Sequence, residues 1–339
     1  RASPAARTAS ISAGATPSGW SARHGSTRRP RSLAPSRNPR SVAMPVMCVV
    51  RTIRPMYVDA IAFCRPAAIA ASDDWQDLLD PELSQWVIFM GAPHTSTDIE
   101  GYEKFDDVTT GTPIGLHQDP KQVFTTRQGW GGRTELVVSG EIFAGLVTKE
   151  VFDDYHLVVQ FKWGDKKWEP RLHAQRNSGV LYHSVGDYTD FWNVWMTCLE
   201  AEVMEGDSAD FISLGDVRAK IPAVGGRKIY HYDPNADLVP FSWLEGFDTG
   251  RCRKPGDPEK PHGQWNTLEI ITLGNQTLHV LNGVVVMRVV DPEVRIDGEW
   301  RPMEAGKIQL QSEAAEVFYQ DIRIKPITAF PKAYAGYVD

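Results

Sequence analysis

Residues 265–290 read WNTLEIITLGNQTLHVLNGVVVMRVV and contain runs of β-forming residues separated by turn signals. Val, Ile, Leu and Thr dominate the stretch, and Asn282-Gly283 lies between two apolar runs. An Asn-Gly pair flanked in this way is a strong signal for a tight hairpin. The stretch therefore predicts antiparallel strands joined by short turns.

Comparable runs follow one another from Thr134 onward, and no long amphipathic helix pattern separates them. The predicted strands are TELVVSG, GLVTK, YHLVVQFKW, SGVLYHS, CLEAEVM, KIQLQS and EVFYQDIRIKPI. A succession of strands without helices predicts an all-β domain, a sandwich or a barrel, and about 200 residues suit one such domain.

We predict one β-sandwich domain over residues 72–339, preceded by a leader over residues 1–71. Within the domain, residues 218–263 are rich in Pro, Gly and charge. A long stretch of this composition predicts a loop over one rim of the sandwich.

The leader differs in charge from the domain, because it contains 11 Arg, no Lys and one acid, Asp59. Its first 43 residues are almost entirely Arg, Ser, Ala, Pro, Gly and Thr, which predicts disorder. From Met47 an apolar run ends at Ala68-Ile69-Ala70, a signal-peptide cleavage motif, so we expect an exported protein. For the first 43 residues we favour an over-extended start, with Met44, Met47 or Met56 as the first residue, over a basic tail that binds nucleic acid.

The charge of the remaining residues limits the partners of the domain. They carry 25 basic against 42 acidic side chains, which argues against a nucleic-acid surface. The sequence contains no run of about 18 apolar residues, so it predicts no membrane span. Cys198 and Cys252 are candidates for one disulfide in an exported protein, and two unpaired thiols are the open alternative. The sequence leaves the oligomeric state open.

Residues 198–207, CLEAEVMEGD, carry four carboxylates within eight positions. On a regular strand the acids at 200 and 202 share one face with Met204, and the apolar residues between them share the other face. A bulge near Met204 would return Glu205 to the acidic face. The acids line either a solvated face or a cleft, and the preceding FWNVW favours a cleft.

The spacing E-x-E-x-x-E resembles the E-x-D-x-x-E signature of laminarinase-type glucanases. This resemblance implies Glu200 and Glu205 as nucleophile and acid/base of a retaining hydrolase. Such a pair requires carboxylates about 5–5.5 Å apart.

A longer resemblance covers residues 135–327. NSGVLYHS, CLEAEVMEGD, GQWNTLEI, the LNG hairpin and GKIQLQSEAAEVFYQDI resemble, in order, motifs of the 3-keto-disaccharide hydrolase domain family. The resemblance implies a concanavalin A-like jelly-roll β-sandwich of two antiparallel sheets with a concave face that binds sugar. It also implies cleavage of glycosides oxidised to a ketone at carbon 3, by elimination and hydration.

The candidate site residues are those that match the family's motifs, together with Trp192 and Trp195, which precede the acids in the sequence. His183 is the expected base or acid, with Glu200 or Glu205 as its counterpart. The expected substrate-binding residues are Tyr182, Trp192, Trp195, Glu202, Asp207, Asn266 and Gln311. A divalent metal, either calcium or a transition metal, is an open option because imidazole and carboxylates are ligands for such ions.

This chain departs from the family pattern inside the acidic strand. The usual ECQIQ is replaced by residues 200–204, where Glu202 adds a charge and Met204 an apolar side chain. Two other functions therefore stay open beside the 3-keto-glycoside enzyme: a non-catalytic carbohydrate-binding module and the glucanase-like hydrolase. The expected partner in all three is an oligosaccharide or glycoside.

Overall fold

The computed structural model describes residues 75–338. The predicted leader and its cleavage motif lie outside the described residues, so disorder and export stay predictions. Within residues 75–338 the secondary structure is strands and two short 3-10 helices, Trp130–Gly132 and Ala335–Tyr337. No helix in this part of the chain is long and apolar enough to cross a membrane.

The strands between residues 75 and 338 are numbered β1 to β21. In chain order they are β1 (Gln76–Asp77), β2 (Trp86–Met90), β3 (Gly115–Leu116), β4 (Phe124–Gln128), β5 (Thr134–Val138), β6 (Ala144–Thr148), β7 (Phe152–Asp153), β8 (Tyr155–Lys167), β9 (Asn177–Val185), β10 (Thr197–Met204), β11 (Phe211–Leu214), β12 (Val217–Gly226), β13 (Ile229–Tyr232), β14 (Leu238–Phe241), β15 (Arg251–Cys252), β16 (Asn266–Leu273), β17 (Gln276–Leu281), β18 (Val284–Ile296), β19 (Glu299–Pro302), β20 (Ala305–Ser312) and β21 (Ala315–Pro326).

These strands form two antiparallel sheets. The larger sheet has twelve strands, with the path β13-β12-β18-β17-β16-β8-β21-β5-β4 and with β1, β14 and β19 paired to β21, β12 and β18. The smaller sheet has nine, with the path β15-β11-β10-β9-β20-β6-β2-β3 and with β7 paired to β20.

One hydrophobic core lies between the sheets and uses side chains from both. Leu157 and Phe161 of β8 enter it from the larger sheet, and Leu199 and Ala201 of β10 enter it from the smaller. Alternate residues of each strand face this core, which is the packing that defines a sandwich. The predicted all-β jelly-roll sandwich of two antiparallel sheets is confirmed.

The opening stretch forms three consecutive antiparallel strands, β16 to β18, of the larger sheet. Leu281 pairs with Val284, so the connection contains only Asn282 and Gly283. Both have positive φ, 51° and 82°, as the favoured two-residue hairpin turn requires. The predicted hairpin is confirmed, and its conformation explains the Asn-Gly pair.

Residues 218–263 are not the predicted long loop, because most of β12 and all of β13, β14 and β15 lie there. Pro and Gly misled the prediction, since a sheet edge tolerates both. Pro222 is located where β12 leaves β18 and pairs with Leu238 of the short strand β14.

Cys198 and Cys252 are buried free thiols. The strands that carry them, β10 for Cys198 and β15 for Cys252, both pair with β11. Cys198 lies opposite Leu214 of β11, and Cys252 lies opposite Phe211. Cys252 belongs to the core between the sheets and Cys198 to a cluster on the outer face. A disulfide needs Cα atoms about 4.4–6.8 Å apart and converging Cβ vectors, so opposite faces explain the absence of the considered bond.

A histidine links the two sheets through the core. His279 of β17 donates from Nδ1 to the Ala209 carbonyl at 3.1 Å, and its Nε2 accepts from the Tyr182 hydroxyl at 3.0 Å. Burial lowers the pKa of His279 from 6.5 to about 4. The ring is therefore neutral at pH 7, which lets one nitrogen donate while the other accepts.

We expect His279→Gln to make the free energy of unfolding depend less steeply on pH below neutrality. Between pH 6.5 and 4 the unfolded imidazole binds a proton that the folded one does not. The stability it confers is therefore present above pH 6.5 and is lost as the pH falls toward 4. Removing this site should lower the slope of unfolding free energy against pH in that window by about 1.4 kcal/mol per unit.

Urea titrations at several pH values measure this slope. His117→Gln, at an exposed position, is the control and should leave the slope unchanged. Equal slopes for wild type and His279→Gln would contradict the prediction.

Candidate functional site

The acidic strand β10 presents its carboxylates on the outer face of the nine-stranded sheet. Leu199, Ala201 and Val203 lie in the core, so Glu200 and Glu202 face the other way. The pairing of β10 with β9 is regular from Leu199 to Met204, and its irregularity lies between Thr197 and Leu199. The alternation is confirmed, whereas the bulge predicted near Met204 occurs at the other end of the strand.

Register places polar residues of three neighbouring strands side by side on this outer face. Glu202 lies opposite Gly179 of β9, and the continuation of the β9–β20 register puts Gln311 on the other side of Gly179. In the next row, Met204 pairs with Asn177, which also pairs with Glu313.

Gly179 leaves a gap in the layer of side chains on this face, and two neighbouring side chains fill it. The Gln311 Oε1 atom lies 2.6 Å from the position that a Cβ at residue 179 would take, and Glu200 Oε1 lies closer still. Both oxygens therefore lean over the glycine from opposite sides. Any side chain at position 179 would displace them.

Three carboxylates of this site are almost fully withdrawn from solvent: Glu200, Glu202 and Glu313 are 4%, 3% and 3% exposed. Burial raises the pKa of Glu200 well above its usual range, and the charges of Glu202 and Glu313 raise it further. Burial also raises the pKa of Glu202 and of Glu313. Closely spaced buried acids share protons in this way because they cannot all ionise.

Two arginines lie beside the carboxylates. Arg171, from the connection between β8 and β9, forms an ion pair with Glu313 at 3.0 Å. Arg251 of β15 binds Asp210 at 2.7 Å and Asp207 at 2.9 Å. Both guanidinium groups oppose the rise in the pKa of Glu200.

Several buried polar atoms of the site have no hydrogen-bond partner among the described residues. They are Asn177 Oδ1, Glu202 Oε1, Gln311 Oε1 and Arg171 Nε. Buried polar atoms in folded proteins are nearly always paired, so four such atoms in one cluster mark a candidate functional site.

Glu205 and Asp207 lie apart from this cluster, in the turn after β10. Glu205 binds Arg176 at 2.8 Å and His262 at 3.1 Å, and Gly206 turns the chain with φ 89°. Asp207 contributes through its ion pair with Arg251. Asp207 therefore borders the site through Arg251, whereas Glu205 lies farther from the buried carboxylates.

The structure does not bring His183 and Tyr182 together with Glu200, although the sequence led us to expect His183 and Glu200 to act as a pair. His183 is fully buried, donates from Nδ1 to the Met303 carbonyl at 2.9 Å, and meets the Tyr155 ring edge-on in the core. Burial lowers the pKa of His183 to about 4.

His183 lies on the core side of the sheet because β9 contains a bulge. Lys307 of β20 pairs with Ser184 but Gln309 pairs with Leu181, so two residues of β9 face one of β20. His183 has φ 51° at this point. The extra residue keeps His183 on the core side, as Tyr182 is, where regular alternation would have turned it toward Glu200.

The remaining predicted residues divide between surface and interior. Trp192 is 41% exposed, next to the acidic strand, and stacks on Phe191. Trp195 is 1% exposed and donates to the Ala144 carbonyl, so it is an interior residue that supports Phe191 and Trp192 at the surface. Asn266, on the larger sheet, is buried and accepts from the Lys260 backbone N–H at 2.7 Å, which fastens a loop.

Sequence reasoning missed Arg251 and Asp210 as partners of the acidic strand. They lie 41 residues apart, and no local pattern signals their pairing. Asn177 could have been found, because it is in register with Met204. Within residues 75–338 no group of three or more His, Cys, Asp or Glu has an arrangement that could hold a metal ion.

We expect Gly179→Ala to disturb this site while the sandwich still folds. The new Cβ meets the flexible ends of Glu200 and Gln311, so these side chains must move, with a stability loss of about 1–3 kcal/mol. Denaturant titration and a crystal structure of the variant test this. Gly256→Ala, which meets nothing within 4 Å, should stay within about 0.5 kcal/mol of wild type, and equal stability of the two variants would contradict the clash.

Solved structures with a similar arrangement of strands include three carbohydrate-related proteins. A Bacillus licheniformis β-glucanase has 8% identity, a TM-score of 0.35, and coverage of 75% of this chain and 97% of its own. LamAcat from Zobellia galactanivorans has 10% identity, a TM-score of 0.38, and coverage of 74% and 96%. The carbohydrate-binding module CBM66 from Bacillus subtilis has 11% identity, a TM-score of 0.35, and coverage of 60% and 91%. Likeness at this level says nothing about activity.

A comparison of the sequence with curated proteins finds no match. Residues 74–325, most of the chain, match the family described as 3-keto-alpha-glucoside-1,2-lyase-like domain. The match includes β10, the gap at Gly179 and both arginines, and it supports a carbohydrate-active function. The chain belongs to the family of 3-keto-alpha-glucoside-1,2-lyase-like domains.

Proposed function

We propose that this protein is an enzyme that cleaves glycosides carrying a ketone at carbon 3. The observation that supports it is the set of buried carboxylates, Glu200, Glu202 and Glu313, which share one sheet face with unpaired polar atoms. Acid–base chemistry on a sugar needs two carboxyl groups in different protonation states, and this cluster offers three carboxyl groups with perturbed pKa values.

The reaction follows from the acidity of the substrate. A ketone at C3 acidifies the hydrogen on C2, so a base can remove that proton and the electron pair forms a C1–C2 double bond. The C1–O bond breaks, and an acid donates a proton to the departing oxygen. Water then adds across the double bond, with oxygen to C1 and a proton to C2, and the net result is hydrolysis.

The environments of the carboxylates suggest how these roles are divided. Burial and two neighbouring carboxylates raise the pKa of Glu200 well above its usual range, so Glu200 carries a proton and serves as the acid. Glu313 forms an ion pair with Arg171, which opposes the effect of burial on its pKa. We assign the role of base to Glu313, because the Arg171 guanidinium favours its charged form.

Binding of the ketone can be assigned to a donor of the same site. The buried Arg171 Nε–H has no partner among the described residues. A preorganised donor near an oxygen that gains negative charge stabilises the transition state. We assign Arg171 to the ketone oxygen, and Trp192 to stacking on the sugar ring because its side chain is 41% exposed.

The geometry does not favour the other roles predicted from sequence. Glu205 follows the end of β10, and residues 200 and 204 of a strand are about 13 Å apart. Its carboxylate already binds Arg176 and His262. The pair Glu200 and Glu205 therefore suits a retaining mechanism poorly, and His183 has no route to a substrate. We derive no step through a metal, because the donor set does not fit one.

The test is release of an aglycone from a 3-keto-glucoside and from its parent glucoside. We expect release from the keto substrate alone. Glu200→Gln and Glu313→Gln should each lower the rate by about 10²–10⁴-fold, the usual contribution of a general acid or base. Glu299→Gln, at an exposed position on β19, should leave the rate unchanged.

Other outcomes would point elsewhere. Release from the parent glucoside, abolished by Glu205→Gln, would identify a glucanase-like hydrolase. Sugar binding without release from either substrate would identify a non-catalytic module. Full activity of both Glu200→Gln and Glu313→Gln would refute the roles assigned here.

A further inference from the structure

Two consecutive residues, Trp192 and Asn193, have a backbone conformation that few side chains adopt. Their φ angles are 52° and 55°, and the left-handed region is unusual for a residue as bulky as tryptophan. The Val194 N–H donates to the Phe191 carbonyl at 3.1 Å, which closes a turn with residues 192 and 193 at its centre. A turn with positive φ at both central positions favours Asn, Asp or Gly there, so Asn193 suits its position and Trp192 does not.

A column of stacked rings connects this turn to the outer face of the nine-stranded sheet. Trp192 stacks on Phe191 with ring centroids 4.9 Å apart, and Phe191 stacks on Trp195 at 6.5 Å. Trp195 stacks on Phe143 at 5.7 Å, and its indole N–H donates to the Ala144 carbonyl at 3.1 Å. Successive ring planes differ by only 23° or 24°. Trp192 is the outer end of this column, and it remains 41% exposed.

The column shares its sheet face with the buried carboxylates. Leu181 and Ile212 pair with Glu200 on either side. Leu181 belongs to the hydrophobic cluster that contains Trp195, and both Ile212 and Phe191 pack against that cluster. The apolar surface beside Glu200 is therefore continuous with the column of rings.

From the strained turn and the column of rings we infer that Trp192 and Asn193 form a preformed platform for a sugar ring, with Trp192 stacking on the ring and Asn193 acting as the positioning residue. Backbone strain of this kind persists only where the surrounding structure enforces it, and it is concentrated at sites that hold ligands. Asn193 adopts the left-handed conformation at low cost, and its side-chain amide donates to the Gly111 carbonyl at 3.4 Å. A ring that is fixed before binding gains affinity, because no loop or rotamer has to be ordered when the sugar arrives.

Recognition by this platform does not depend on the ketone of the proposed substrate. An indole ring contacts the apolar C–H face of a pyranose, and this face is present whether carbon 3 carries a ketone or a hydroxyl. We therefore expect the parent glucoside to bind at Trp192 without being cleaved. The inference rests on the proposed function for turnover, whereas binding of the parent glucoside is measured separately.

Calorimetric titration with the parent glucoside measures binding, and kinetics with the 3-keto-glucoside give KM and kcat separately. Trp192→Ala should weaken binding of the glucoside and raise KM, each by about tenfold, through loss of the stacking contact. The value of kcat should stay within about twofold, because the contact is equal in the bound substrate and in the transition state. Trp130→Ala is the control, since Trp130 is 93% exposed in the connection between β4 and β5, and it should change neither quantity.

Substitutions of Asn193 separate positioning from a merely structural role. Asn193→Gly keeps the left-handed conformation accessible and should retain the affinity and KM of the wild type. Asn193→Val introduces a β-branched side chain that disfavours this conformation, so it should raise KM about as much as Trp192→Ala does, with kcat unchanged. Asn193→Ala should give a smaller change in the same direction, and it decides the question should thermal melting show that Asn193→Val is unfolded.

Unchanged glucoside affinity in folded Trp192→Ala, or no detectable binding of the glucoside by the wild type, would overturn the platform. Equal KM values for Asn193→Gly and the folded Val or Ala variant would reject Asn193 as the positioning residue. Cleavage of the 3-keto-glucoside with a KM that Trp192→Ala leaves unchanged would keep the proposed function and reject the platform. Weaker glucoside binding by Trp192→Ala, without cleavage of any 3-keto substrate by the wild type, would reject the proposed function and retain the platform.

Discussion

The register of β10 between β9 and β11 is the constraint on which the rest of the site depends. Leu199, Ala201 and Val203 enter the core from this strand, and this fixes which face carries Glu200 and Glu202. A shift of one residue would expose the apolar set and drive both carboxylates between the sheets. The hydrophobic core therefore determines the position of the acids, although the acids contribute nothing to that core.

The same placement destabilises the fold locally. Glu200 and Glu202 are buried, have raised proton affinity, and lie near two arginines that are bound to other acids. Burying ionisable groups without a partner of opposite charge costs stability. The sandwich tolerates them because the long strands β8, β18 and β21 and the shared core supply stability elsewhere. A strained electrostatic site on a rigid scaffold is the arrangement expected of an active site rather than of a structural surface.

Sequence could predict what depends on local periodicity. The Asn282-Gly283 hairpin and the alternation along β10 were both readable, because turn chemistry and side-chain direction are properties of adjacent residues. His183 was misplaced because a single bulge reverses the face of a strand, and nothing in LYHS marks the inserted residue. Arg251 was missed because its pairing with Asp210 joins distant segments through β11 and β15. The prediction of a long loop over residues 218–263 was wrong for a third reason, because short edge strands have the same composition as loops.

The acidic stretch CLEAEVMEGD therefore contains two environments rather than one. Glu200 and Glu202 lie on a strand whose outer face is covered, so neighbouring carboxylates act on them through little water and raise the pKa of both. Glu205 and Asp207 follow the end of that strand and bind Arg176, His262 and Arg251 as partly exposed ion pairs. Exposed ion pairs of this kind contribute about 0–1 kcal/mol each to folding stability. Burial of Glu200 and Glu202, in contrast, changes their proton affinity. The regular spacing of four acids in the sequence thus conceals a division made by burial, and the two residues inside the strand, Glu200 and Glu202, have the perturbed proton affinity that acid–base catalysis requires.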